Sequence, residues 1–299
     1  MRLPWHKDEP TAHSVASVDA DTLTAAAVPP PRGRNLWMAT VVGLALFIGV
    51  LAAARLSPLA LAITLCVVTF IAVIEWRAAL LRHGRRVSLW PISVAIVGMT
   101  VATWYAESEG LIVALLVACA GVVAWRVVDE RIENTLADSL AAMFTLLWIP
   151  FLASFVLLME QAHNGWQRVW ILLVAVSGND TGALFAGMLF GKRKLAPRIS
   201  PNKTWEGAIG GAIVGAGASA GFAYWLFDGA WLMGLLVGLA VVVASVVGDL
   251  AESAIKRDMS IKDMSSIVPG HGGVLDRIDS LLVAAPVAYV CFAIAMGTS

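Results

Sequence analysis

Apolar positions in this 299-residue chain come in long blocks, with little alternating or amphipathic rhythm between them. A helix needs about 20 mostly apolar residues to cross a bilayer. Nine blocks approach that length, near 36–54, 57–76, 88–105, 110–125, 139–159, 169–190, 207–226, 231–248 and 281–298. Backbone groups in hydrocarbon must bond within their own segment, so each block predicts a helix. The expected fold class is all-α: a polytopic integral membrane protein with about nine transmembrane helices. The fourth block is short, and the sixth is interrupted by Asp180.

Polar positions gather in two of the connections. "GKRKLAPRISPNKTWEG" runs from Gly191 to Gly207, and "SAIKRDMSIKDMSSIVPGHGGVLDRIDS" from Ser253 to Ser280. Other connections, such as "AESEG" at 106–110, read as plain links. The first 35 residues hold no long apolar run and end in Pro29-Pro30-Pro31-Arg32-Gly33-Arg34. A signal peptide would carry its apolar core nearer Met1, so this segment reads as an uncleaved, disordered tail. The expected division is a tail at 1–35, about five helices within 36–165, and a catalytic region at 166–299 with about four spans and two polar loops.

Composition agrees with lipid as the solvent. Hydrophobic residues make up 59% of the chain and charged residues 14%, against about 25% charged in soluble domains. The mean hydropathy is +0.79. Net charge is zero, which names no partner, and no nucleic-acid partner is expected. Cys66, Cys119 and Cys291 lie inside apolar blocks without metal-ligand spacing, so they read as small packing residues.

The placement of charge says more than its sum. With the N-terminus in the cytoplasm, all but Arg55 and Arg168 of the 21 lysines and arginines fall on the cytoplasmic side. The positive-inside rule therefore predicts a cytoplasmic N-terminus and a C-terminus on the opposite face. Both polar loops then share the cytoplasmic face.

Several polar residues in these regions need a reason. In "VVGDLAESAIKR", Asp249, Glu252 or Ser253, and Lys256 recur on one helical face if the helix continues past the apolar block. A helix simply emerging into water would look similar. In "PGHGGVLDRIDS", Gly272 and Gly273 permit close approach at the start of a helix, where exposed N–H groups can bind phosphate. Asp276 and Asp279 share a face, with Arg277 between them. A glycine hinge with an N-terminal cap is the plainer alternative. Carboxylates beside Lys and Arg at a membrane face fit a divalent cation with phosphate. Mg²⁺ commonly takes one or two carboxylates, completed by phosphates and water. His271 titrates near neutrality and suits a ligand, a proton donor or a support equally. Asp180, next to Asn179 and Thr181, is an intramembrane acid and so a functional candidate, or else a polar packing node. Ser200, Asn202, Lys203 and Thr204 suit either a helix-entry cap or a phosphate contact.

These residues together resemble a known signature. Ser253-x-x-Lys256-Arg257-x4-Lys262-Asp263-x5-Pro269-Gly270-His271-Gly272-Gly273-x2-Asp276-Arg277-x-Asp279 is similar to that of the phosphatidate cytidylyltransferases, also called CDP-diacylglycerol synthases. "GDLAES", "SPNKTWEG" and "NDTGA" are similar too, so the likeness covers roughly residues 175 to 290. The resemblance implies CTP and phosphatidic acid as substrates, CDP-diacylglycerol and pyrophosphate as products, and one or two Mg²⁺ ions. It implies an active site facing the cytoplasm, in the cell inner membrane, and a possible homodimer. It places the metal on Asp249 and Asp276, with Asp279 as a further carboxylate. Lys256, Arg257, Lys262 and Arg277 are expected to meet phosphate charge. Ser200, Asn202, Lys203, Thr204, Asp180, Gly272 and Gly273 are expected to bind substrate. The rival readings are another CTP-dependent lipid transferase, such as a polyprenol kinase, and a transporter.

Overall fold

The computed structural model describes residues 36–129, 133–265 and 273–296. The expectations for the tail at 1–35, for His271 and Gly272, and for the last residues of the ninth block lie outside them. The described chain folds as helices α1 (Leu36–Leu56), α2 (Pro58–Arg82), α3 (Leu89–Val128), α4 (Thr135–Leu146), α5 (Leu152–Gln161), α6 (Gly165–Phe190), α7 (Trp205–Leu226), α8 (Trp231–Asp258) and α9 (Leu275–Met296). A short antiparallel hairpin, β1 (Lys194–Ala196) and β2 (Ser200–Thr204), joins α6 to α7. Among the described residues, seven helices are long and apolar enough to cross a membrane, with α4 and α5 counted as one span and α3 counted once. The protein is an all-α, polytopic membrane protein.

Each predicted block is helical, and the joints have local causes. Ser57 caps α2 by accepting from Ala60 N at 3.1 Å, with Pro58 in the first turn, where its missing N–H costs nothing. At 1.5 Å per residue the 40 residues of α3 would reach about 60 Å, twice the hydrocarbon thickness. The helix breaks instead at Ala106 and Glu107, where Glu107 has φ 47°. Its arms fold back on each other, so that Trp90 and Trp125 line one groove. That break separates the third predicted block from the fourth. Pro150 cannot donate to the helical ladder, and α4 passes into α5 through a π-helical turn at Leu147–Phe151.

Helices α6 and α7 meet through glycine. A side chain at Gly215 would strike Ala175 O at 2.6 Å, and one at Gly182 would strike Gly210 O at 2.8 Å. Small residues let the two backbones touch, which matters where lipid offers no hydrophobic drive to pair helices. Gly178 and Gly187 lie on the same seam. Helix α8 packs against α7 and α9, and α9 in turn contacts α5 and α2. Buried clusters run through both halves of the chain, with Trp76, Ile92 and Leu146 in one and Val169, Leu172 and Phe292 in the other. Trp76 in α2 donates to Thr145 in α4 at 2.9 Å.

This packing brings the ends of α2, α6 and α8 and the starts of α7 and α9 to one side. Arg55 lies at the opposite side, its guanidinium 4.8 Å from the Trp166 ring. Arg168 is buried and faces Phe292. The two basic residues that the charge pattern set apart are thus remote from the polar loops.

Candidate active site

The hairpin β1–β2 exists because the chain must turn between two helices while keeping its polar residues near the membrane surface. Glu206, in the first turn of α7, accepts from Lys192 N at 3.1 Å and from Arg193 N at 3.1 Å, fixing the hairpin's entry. Thr204 caps α7 by accepting from Gly207 N at 3.1 Å. That cap explains the predicted role of Thr204 and aims the preceding residues inward. Ser200, Asn202, Lys203 and Thr204 line a cavity of about 490 Å³ with Asn179 and Asp180 of α6 and Asp249 of α8. Leu184, Met188, Leu195 and Val246 supply its apolar wall. Two stretches 46 residues apart meet here as an ion pair, Lys203 with Asp249. Burial pulls the Lys203 ammonium below the usual lysine range; Asp279 and Asp180 oppose that shift, and Lys256 adds to it.

Helix α8 continues past its apolar block to Asp258, so Asp249, Glu252, Ser253 and Lys256 do share one face. Ser253 Oγ donates toward Asp249 at 3.5 Å. Lys256 Nζ lies 2.9 Å from Glu252 Oε2 and 2.9 Å from Asp276 Oδ1. Helix α9 starts earlier than its apolar block, which places Asp276 and Asp279 in its first turns. Gly248 permits the close crossing: a side chain there would meet Asp279 O at 2.9 Å. Asp276 also accepts from Gly273 N at 2.7 Å and from Met264 N at 3.1 Å. Two described backbone groups flanking the second polar loop, Met264 N and Gly273 N, therefore meet at this carboxylate.

The remaining predicted cations sit further out. Arg257 is exposed and donates through Nε to Ile199 O at 3.2 Å, tying α8 to the hairpin. Lys262 and Arg277 are exposed at the same end. Glu75 of α2 was not singled out from the sequence, yet it is fully buried and accepts from Ser265 Oγ at 2.8 Å and from Leu275 N at 2.9 Å. The signal was there: it is an acid inside an apolar block, the criterion that picks out Asp180.

The donor set suits a hard cation. Asn179 Oδ1 and Glu252 Oε1 are buried and have no hydrogen-bond partner among the described residues, and Asp279 approaches Glu252. Among the described residues no three acidic, histidine or cysteine side chains converge as a ready ligand cage. Mg²⁺ does not require one, because substrate phosphates and water usually complete its shell. Oxygen donors with unmet capacity beside Asp249 fit that pattern.

Comparison with known proteins gives the family. The cytidylyltransferase family profile matches residues 37–295. The chain belongs to the cytidylyltransferase family. A phosphatidate cytidylyltransferase of Mycobacterium leprae is 34% identical over 276 residues, covering 87% of this chain and 88% of the relative. That of Mycobacterium tuberculosis is 32% identical, covering 86% of this chain and 82% of the relative. That of Pseudomonas aeruginosa is 48% identical over 148 residues, about half of each chain. Membership of the cytidylyltransferases makes this protein a nucleotidyltransferase. The likeness also reaches well before residue 175, into helices whose sequence showed only hydropathy.

Proposed function

We propose that the protein transfers CMP from CTP to phosphatidic acid, giving CDP-diacylglycerol and pyrophosphate, at the cytoplasmic face of the cell inner membrane. The observation that carries this reading is the Lys203–Asp249 pair on the wall of a cavity that is part polar and part apolar, in a chain of this family. Phosphate groups suit the polar wall, and acyl chains suit Leu184, Met188 and Val246.

A phosphate oxygen of phosphatidic acid attacks the α-phosphorus of CTP. The bond to the β-phosphate bridging oxygen breaks, and pyrophosphate leaves with its electron pair. A phosphomonoester has a second pKa near 6, so the nucleophile is largely ionised at neutral pH and needs no strong base. The residues must instead hold two anions together. Lys203 and Lys256 offer compact positive charge, while Arg257, Lys262 and Arg277 are exposed at the same end of the molecule. Asp249 and Asp276 would hold a Mg²⁺ ion, which supplies charge neutralisation at the phosphates when bound.

The test is purified protein in detergent with phosphatidic acid and CTP labelled on either the α- or the γ-phosphate. Transfer of the α-label into lipid supports the reading. Transfer of the γ-label alone would instead identify a lipid kinase. No transfer with any divalent metal would defeat both readings. Chelation should abolish labelling, and added Mg²⁺ should restore it.

A further inference from the structure

We propose that Glu75 is a positioning residue for the reaction: from the first half of the chain it grips both shoulders of the loop that presents Asp276. Its two carboxylate oxygens have separate tasks. Oε1 accepts from Ser265 Oγ at 2.8 Å, just after α8 ends. Oε2 accepts from Leu275 N at 2.9 Å, at the first residue of α9. The positive end of the α9 dipole favours an anion at that place. Gly273 packs so closely that a side chain there would collide with the Glu75 carboxylate.

Asp276 makes the matching set of bonds from the first turn of α9, accepting from Met264 N and Gly273 N and pairing with Lys256. Residues 264, 265, 273 and 275 are thus held alternately by the two carboxylates. Neither Ser265 nor Leu275, the hydrogen-bond partners of Glu75 among the described residues, lines the cavity, so its effect on chemistry passes through the loop ends and Asp276. A carboxylate buried in a membrane helix is costly unless its bonds are satisfied, and here the loop's own donors satisfy it. A bond at only one shoulder would anchor the loop end; bonds at both fix its width.

The inference rests on reading the Asp249–Asp276 region as the catalytic site. The experiment compares full-length wild type with Glu75→Gln and Ser265→Ala in the α-label assay, together with backbone hydrogen exchange and thermal unfolding. Both variants should lower kcat about tenfold or more, the effect of a small misplacement of the reacting geometry. The KM for phosphatidic acid should stay near wild type. Exchange should quicken at Met264, Gly273 and Leu275 but not along α6 or α7, and the melting temperature should hold. Wild-type kcat with unchanged exchange would overturn the proposal. So would a loss of activity accompanied by uniformly faster exchange and a fall in melting temperature, which marks a merely structural residue. If wild type labels no lipid, the functional reading fails, and the exchange pattern still decides whether Glu75 sets the loop.

Discussion

At the scale of single residues, the site turns on two carboxylates held by cations and backbone donors. Asp249 is held by Lys203, and Asp276 by Lys256 and two amides. Losing the anion at Asp249 removes an oxygen donor from the cavity wall and frees a half-buried lysine. Asp249→Asn and Lys203→Ala should each reduce lipid labelling by about a hundredfold, the cost of one preorganised electrostatic contact. Near-normal labelling in either variant would remove the pair from the mechanism. Arg277→Lys keeps the charge but loses the planar fork, and should still slow turnover by about tenfold. Equal rates would reduce Arg277 to a screening charge. Most of these residues were legible because the signature spaces them along the chain. Their pairing was not: nothing in the spacing says that Lys203 meets Asp249 across 46 positions. Glu75 was visible as an acid in an apolar block, but its partners 190 and 200 residues away left no local motif to say what it holds.

At the scale of elements, the helices were legible because a bilayer leaves few alternatives to them. Their ends were less so. Hydropathy stops α8 near 248 and starts α9 near 281, whereas the backbone ladder runs to Asp258 and begins at Leu275. The added turns are polar because they carry the site, so hydropathy under-reads them. The β-hairpin was invisible to it, since Ser-Pro-Asn-Lys-Thr has little strand character; the Glu206 contacts with Lys192 N and Arg193 N help shape it. The seam between α6 and α7 can be tested directly. Gly215→Leu should destabilise the protein by about 1–3 kcal/mol or more, as overpacking does, and should displace Asp180. Gly217→Ala, where a side chain meets nothing within 4 Å, should be neutral or stabilising by up to about 1 kcal/mol. Thermal unfolding in detergent compares the two. Equal melting temperatures would mean that the helices do not pack by backbone contact.

At the scale of the whole molecule, the two polar loops belong to one end and the α3 break and Arg55 to the other. Cysteines placed at Glu107 and at Arg198, in a chain whose native cysteines are replaced, should therefore react with an impermeant thiol reagent from opposite faces of sealed vesicles. Labelling of both from one face would refute the charge-based topology. The division of the chain into two regions does not mark two independent jobs, because Glu75 ties α2 to the start of α9. That tie has a consequence for synthesis. Ribosomes add about 5–20 residues per second, so Glu75 enters the bilayer about 10–40 s before its partner 200 residues later. During that interval the nascent chain carries an acid in α2 with no native donor to meet it. Helix α9 brings the backbone donor that relieves it, so the insertion of α9 and the satisfaction of Glu75 arrive as a single event.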